Sequence, residues 1–281
     1  MAIIQNWVNG QRRITVIKHL KLIIFILFCL FLAGYSYFIE PNRLEVNRYV
    51  VQDEQLKGVK IVLVGDFHIK PNQEDRLQKV VELINEQNPD IVLSVGDFVN
   101  GHEEDMTMPI ADIVKQLKNI KSKYGFYTVL GNHDWWIDGE GITDTLISSG
   151  IKVLANSNTK VNINGKDIYI AGVEDKTTRT PEIYSALENA KKPVILLTHS
   201  PDVFPKIPSN INLTLSGHVH GGQVRLPLLG ALIVPSDYGD KYSLGLIEEK
   251  GKKMIVTKGI GNSILNVRFN CVPEIVVIEF E

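Results

Sequence analysis

The chain has 281 residues, 44% of them hydrophobic, enough to bury one large core or two small ones. A net charge of −2 excludes the strongly basic balance of a nucleic-acid binder. Two cysteines, Cys29 in an apolar run and Cys271 near the C-terminus, argue against a disulfide framework and against a cysteine-rich zinc site.

The first element in the chain is the uncharged run "LIIFILFCLFLAGYSYFI", Leu22 to Ile39. About 18 residues at roughly 1.5 Å each give about 27 Å, close to the hydrocarbon thickness of a bilayer. Arg12, Arg13, Lys18 and Lys21 precede the run, and charges are balanced after it. The positive-inside rule then places residues 1–21 in the cytoplasm, 22–39 across the membrane and the remainder outside. Tyr35 and Tyr37 suit an interfacial belt, and no A-x-A site follows, so the run reads as an uncleaved anchor. The alternatives are a buried core helix and a signal sequence whose removal releases the remainder. Residues 40–56 read as a polar linker into one domain at 57–281.

"KIVLVGD" (Lys60 to Asp66) predicts a buried strand, and "DRLQKVVELINEQ" a helix with Leu77, Val80, Val81 and Ile84 on one face. "DIVLSVGD" (Asp90 to Asp97) is the next strand, "IADIVKQLKNI" after Pro109 the next helix, and "GFYTVLGNHD" (Gly125 to Asp134) a third strand. That alternation predicts βαβ units and a parallel sheet. "VNINGKDIYIAGV" predicts a hairpin turning at Asn164-Gly165. "PVILLTHS", "INLTLSGHVH" and "EIVVIEF" are further strands, and "LGLIEEKGKKMIVTKGI" a hairpin turning near Gly251. Two mixed sheets packed together, with helices outside, would use these elements.

Polar residues close strand after strand: Asp66 and His68, then Asp97, then Asn132, His133 and Asp134, then His199, then His218 and His220. In open α/β sheets that edge is where ligands bind. His19, in the basic segment before the anchor, and His102, in a polar loop, suit solvated roles instead. In extended backbone, Asp66 and His68 would point the same way, and so would His218 and His220. Carboxylates and imidazoles without thiolate suit Mn²⁺, Fe²⁺ or Zn²⁺. Seven candidate ligands (Asp66, His68, Asp97, Asn132, His199, His218, His220) exceed one tetrahedral site. They suit two metals bridged by a carboxylate, with Asp97 on the middle strand as the bridge.

The series "GDFHI … GDFVNG … GNHDWW … THSPD … SGHVHGGQVRLP" resembles the calcineurin-like metallophosphoesterase superfamily over roughly residues 57 to 281. The tail "VPSDYGDKYSLGL … GIGNSILNVRFNCVPEI" is similar to its bacterial membrane-associated branch, the transmembrane proteins with a metallophosphoesterase domain. The resemblance implies an α/β fold, a four-layer α/β/β/α sandwich. It implies that Asp66, His68 and His220 hold one divalent metal ion and Asn132, His199 and His218 the second, with Asp97 between them. His133 would be the electrophile or general acid, and Asp134 would orient it. One departure is Asn100, where the second motif often carries aspartate.

The chain therefore reads as a monomeric, membrane-anchored phosphoesterase acting on a phosphodiester or pyrophosphate. Arg225 either grips a second phosphate or is a surface arginine. The branch implies relatives that cleave UDP-2,3-diacylglucosamine in lipid A synthesis, a lipid-linked substrate on the cytoplasmic face. The charge rule puts the site on the other face. A metal-binding module without turnover would have lost a ligand or His133, and neither is lost.

Overall fold

The computed structural model describes the backbone of residues 1–101 and 103–281, and the side chains of all of these except 2–15. The side chains of Arg12 and Arg13, and the whole of His102, lie outside the described residues.

Helix α1 (Ala2–Gly34) runs on through a π turn (Tyr35–Ile39) and a 3₁₀ turn (Glu40–Asn42). Pro41, with its fixed φ and missing N–H, closes the helical stretch. Val16–Asn42 is long and apolar enough to cross a membrane by length and composition, and its side chains are nearly all exposed.

The linker expected at 40–56 is corrected, because most of it belongs to the domain. Glu40 and Pro41 are buried, and β1 (Glu45–Val51) lies parallel to the last strand, β14 (Glu274–Phe280). Asn47 and Arg48 disguise the strand as polar, yet Val51 joins the core and Val46 and Tyr49 pack against it.

The first sheet has the order β1-β14-β2-β3-β4-β5, with β2 (Lys60–Val64), β3 (Ile91–Ser94), β4 (Phe126–Thr128) and β5 (Lys152–Val153) all parallel. Helices α2 (Glu74–Glu86), α3 (Ile110–Leu117) and α4 (Asn132–Ser148) connect them. In the second sheet, β6 (Ser157–Ile163) and β7 (Lys166–Gly172) form the expected hairpin, with Asn164 and Gly165 both at positive φ. The short helix α5 (Ile183–Ala186) follows, then β8 (Val194–Leu197) and β9 (Leu213–Ser216). A small pair, β10 (Arg225–Leu226) and β11 (Gly230–Ala231), stands apart. The hairpin of β12 (Gly245–Glu249) and β13 (Lys252–Val256) completes the order β12-β13-β9-β8-β7-β6.

Period-2 alternation sorts the strand residues into layers. Ile61, Leu63, Ile91 and Leu93 of the first sheet pack with Ile170, Ile195, Leu213 and Leu215 of the second, forming the layer between the sheets. Val62, Val64 and Val92 face the other way, onto Leu77, Val80 and Ile84 of α2 and Ile113 and Leu117 of α3. Leu196 and Met254 meet Ile183 and Phe204 on the far side of the second sheet. The result is a four-layer α/β/β/α sandwich whose fourth layer is thin. Each fully buried aliphatic side chain contributes roughly 1.5–3 kcal/mol of transfer free energy.

Candidate metal centre

The C-terminal ends of β2, β3, β4, β8 and β9 reach one edge of the sandwich, and the nine polar residues found at strand ends sit just beyond them. The backbone there is not extended. Asp66 (φ 49°), His68 (φ 42°), Asp97 (φ 54°), His218 (φ 72°) and His220 (φ 49°) are all left-handed. Regular strand pairing stops at Val64 and Ser94, and a looser pairing follows: Asp66 N–H donates to Gly96 O (2.8 Å) and His68 N–H to Asp97 O (3.1 Å). The expectation that i and i+2 side chains share a face is therefore corrected. Asp66 and His68 do converge, through turns. His218 and His220 part, one toward His199 and the other toward His68.

Close approach requires glycine at two places. A Cβ on Gly131 would lie 2.2 Å from Asp97 Oδ1 and 2.6 Å from His199 Cε1, and one on Gly217 would lie 2.6 Å from Asp66 Oδ2.

All seven ligand candidates meet in this cluster. His68 Nε2 and His220 Nε2 are 3.0 Å apart, with Asp66 Oδ1 4.0 Å from the latter. On the other side, His199 Nε2 is 3.1 Å from His218 Nδ1 and 3.0 Å from Asn132 Oδ1. Asp97 Oδ2 stands between the two groups, 3.5 Å from His68 Nε2 and 3.2 Å from His199 Nε2. His199 points its Nε2 inward because Nδ1–H donates to Val95 O at 2.6 Å.

Burial sets the charge states. It pulls the His68 pKa down to about 3 despite the neighbouring Asp97. It pulls His218 down to about 4, helped by the charge on His199, and holds His220 well below the ordinary range, helped by His68 and Arg268. Burial raises Asp66 to about 7, with His199 pulling against it and Asp97 adding to it. Burial also opposes charge on Asp97, yet His199 and His68 hold its carboxyl well below the usual range. His199 differs: burial opposes its charge, yet Asp97 and Asp66 hold its pKa well above the ordinary range, so a metal ion there would have to displace a proton. The neutral imidazoles of His68, His218 and His220 and the buried carboxylates, with no thiolate, are the donor form that borderline divalent ions take. Nitrogen pairs at 3.0–3.1 Å, and a His68 Nδ1 with no partner among the described residues, also fit a site built around cations.

His133 lies beside the cluster. Its backbone N–H donates to Asp97 Oδ1 (2.8 Å), its ring stands edge-on to that of His68 (4.5 Å), and its Nδ1 is 3.1 Å from Gly101 O. A carbonyl only accepts, so Nδ1 carries the hydrogen. Asn132 and His133 open α4 behind Gly131 instead of ending a strand, so their side chains diverge by helical rotation.

Two expected roles are corrected. Asp134 does not orient the His133 ring: its carboxylate accepts from the backbone N–H groups of Asp97 (2.8 Å), Phe98 (2.8 Å) and Gly131 (3.0 Å), and so it holds the Asp97 turn. Arg225 is engaged by protein partners. Its guanidinium forks onto Asp240 (2.7 and 3.0 Å) and also donates to Gly221 O (2.9 Å), tying the segment after the GHVH stretch to the 3₁₀ turn at Gly239–Tyr242. Asn100 turns into its own loop: its side-chain amide donates to Met106 O and its backbone N–H to Thr107 Oγ1.

One residue escaped the sequence reading. Arg268 is fully buried, with Nη2 3.3 Å from His220 Nδ1 and donor bonds to Lys258 O (2.9 Å), Cys271 O (3.0 Å) and Asn262 Oδ1 (2.8 Å). It backs the His220 ring. Its only signal in the sequence is an arginine inside the otherwise uncharged stretch "ILNVRFNCV".

A profile of the calcineurin-like phosphoesterases matches residues 59–222. The chain is 30% identical over 255 residues to the uncharacterized metallophosphoesterase YkuE of Bacillus subtilis, covering 87% of this chain and 88% of that one. It is 29% identical over 253 residues to phosphodiesterase YaeI of Escherichia coli, covering 88% and 92%. It is 33% identical over 227 residues to a transmembrane protein with a metallophosphoesterase domain of Danio rerio, covering 74% of this chain and 50% of that one.

Proposed function

The chain belongs to the calcineurin-like phosphoesterase family and is a metal-dependent hydrolase, and from that premise we propose that it cleaves a phosphodiester or pyrophosphate at a membrane surface. The observation that carries the reading is the buried cluster itself: three overlapping donor groups, Asp66 with His68 and His220, His68 with Asp97 and His133, and Asp66 with Asp97 and His199. Asp66, His68 and His220 would hold one divalent ion, and Asn132, His199 and His218 the other. Mn²⁺, Fe²⁺ and Zn²⁺ suit these donors. Such ions acidify water and neutralise charge on phosphoryl oxygens.

The chain's own residues supply the proton. As imidazolium, His133 keeps Nδ1–H on Gly101 O and gives its Nε2 proton to the departing oxygen. The ring is then neutral, with its hydrogen on Nδ1, the tautomer that the carbonyl holds. Asp134 keeps Asp97 and the His133 backbone in register, and Arg268 keeps His220 from turning away.

The test is the purified full chain with Mn²⁺, offered bis(p-nitrophenyl) phosphate, p-nitrophenyl phosphate and a lipid-linked pyrophosphate. The diester or the pyrophosphate should turn over at least about tenfold faster than the monoester, as the phosphodiesterase relative suggests. Absence of metal-dependent turnover on all three would support the binding-module reading instead.

We propose that α1 is retained as the anchor. Its end is bonded into the domain: Arg268 N–H donates to Ser36 O (2.9 Å) and Cys271 N–H to Glu40 Oε1 (2.6 Å). Cleavage after Ser36 would remove a partner of the Arg268 backbone. Lys18 and Lys21 ahead of Leu22 favour an N-terminus inside and the site outside. A reporter fused after Glu281 decides the matter. Activity of a cytoplasm-only reporter there would reverse the topology and favour a UDP-2,3-diacylglucosamine-type substrate and a role in lipid A biosynthesis.

A further inference from the structure

Beyond the cluster, the run "LPLLGALIVP" (Leu226 to Pro235) carries no charge, yet apart from Ala231 and Val234 it stays out of the core. Leu228 is 106% exposed, Leu229 69%, Leu232 68% and Ile233 83%. A second tip, Ile264 and Leu265, is 92% and 64% exposed. At ten residues the first run is too short to span a bilayer and fits an interfacial segment. Both tips are also strained, since Leu228 (φ 68°) and Ile264 (φ 57°) take left-handed backbone, which bulky or β-branched residues rarely do. A water-facing turn would use glycine or asparagine at such positions.

The segments that carry the two tips meet on one surface at Gln223. Gln223, three residues after His220, accepts from Ser263 N–H (2.9 Å) and donates to Leu265 O (3.3 Å). That surface continues into α1. Asn266 Nδ2 donates to Tyr37 O (3.3 Å), and Val224, Val267 and Phe269 line one apolar groove of about 800 Å³ with Leu30, Ala33 and Tyr37. Contiguous exposed apolar area marks an interaction site, and one continuous with a membrane-crossing helix meets lipid.

We infer that the Leu228–Ile233 and Ile264–Leu265 tips enter the lipid interface beside α1, forming a second membrane contact that holds the metal centre at the height of the headgroups. This rests on α1 spanning the membrane. The substrate that follows is a phosphoester carried by a membrane amphiphile, presented without leaving the bilayer.

The test uses the full chain in phosphatidylcholine vesicles with acyl chains brominated near the headgroup. Leu228→Trp and Ile264→Trp are compared with Tyr184→Trp, an exposed position on α5, after subtracting wild-type emission. The added emission at both tips should fall about twofold, and that at Tyr184 should not. Leu229→Trp reads the first tip independently if Leu228→Trp misfolds. Carbonate washing separates the two levels of the argument. Protein retained in the vesicles with unquenched tips overturns the second contact alone, and points to a protein on that surface. Protein released by carbonate overturns the anchor and the second contact together.

Discussion

Asp97→Asn will empty both halves of the centre at once. Among the described residues, Asp97 is the one carboxylate within 3.5 Å of imidazole nitrogens from both groups, His68 and His199. Asparagine keeps its size and one oxygen to accept the His133 N–H, so the turn survives while the shared negative charge is lost. Metal analysis should find about two ions per wild-type chain after reconstitution and fewer than about one in the variant. Turnover should fall by roughly 10³-fold or more, the equivalent of several kcal/mol of charge stabilisation. One tightly bound ion, unchanged in the variant, would sink the two-metal reading.

His133→Ala should behave differently. Its ring lies close enough to His68 and Asp97 to complete a donor group with them, but it stands outside the two proposed ligand sets, so metal content should stay near wild type. A positioned acid contributes about 10²–10⁴-fold, and that much should be lost on a diester with a poor alkoxide leaving group. With nitrophenolate, which departs without a proton, the loss should be much smaller. Equal slowing of both substrates, or loss of metal, would make His133 a clamp on phosphoryl oxygens or a ligand. Asp134→Ala supplies the contrast. It leaves buried backbone donors unmet, which costs about 1–3 kcal/mol, so it should lower the melting temperature and the metal content and slow both substrates alike.

Most of the sandwich was legible because buried parallel strands announce themselves as short apolar runs. β1 was not, because an edge strand alternates and shows its polar half. The cluster was legible for a similar reason: each polar group follows a short apolar run that reads as a strand, and the ends of parallel strands share an edge. The direction each side chain takes was not. Left-handed turns at His218 and His220 leave no periodic trace, so extended geometry wrongly put both on one side. Partner choice was equally hidden. Arg225 looked free until Asp240, fifteen residues on, was seen to hold it, and Arg268 meets His220 across 48 residues of chain.

The five left-handed residues in the cluster have a consequence for any attempt to improve this protein. Each non-glycine residue so placed carries a backbone cost, smaller for aspartate and histidine than for most side chains, against a total stability of only about 5–15 kcal/mol. Selection for thermal robustness alone would reward glycine or asparagine at Asp66, His68, Asp97, His218 and His220. A library scored only on folding would thus drift toward a sturdier and inert variant, and the catalytic edge would be the first part to go.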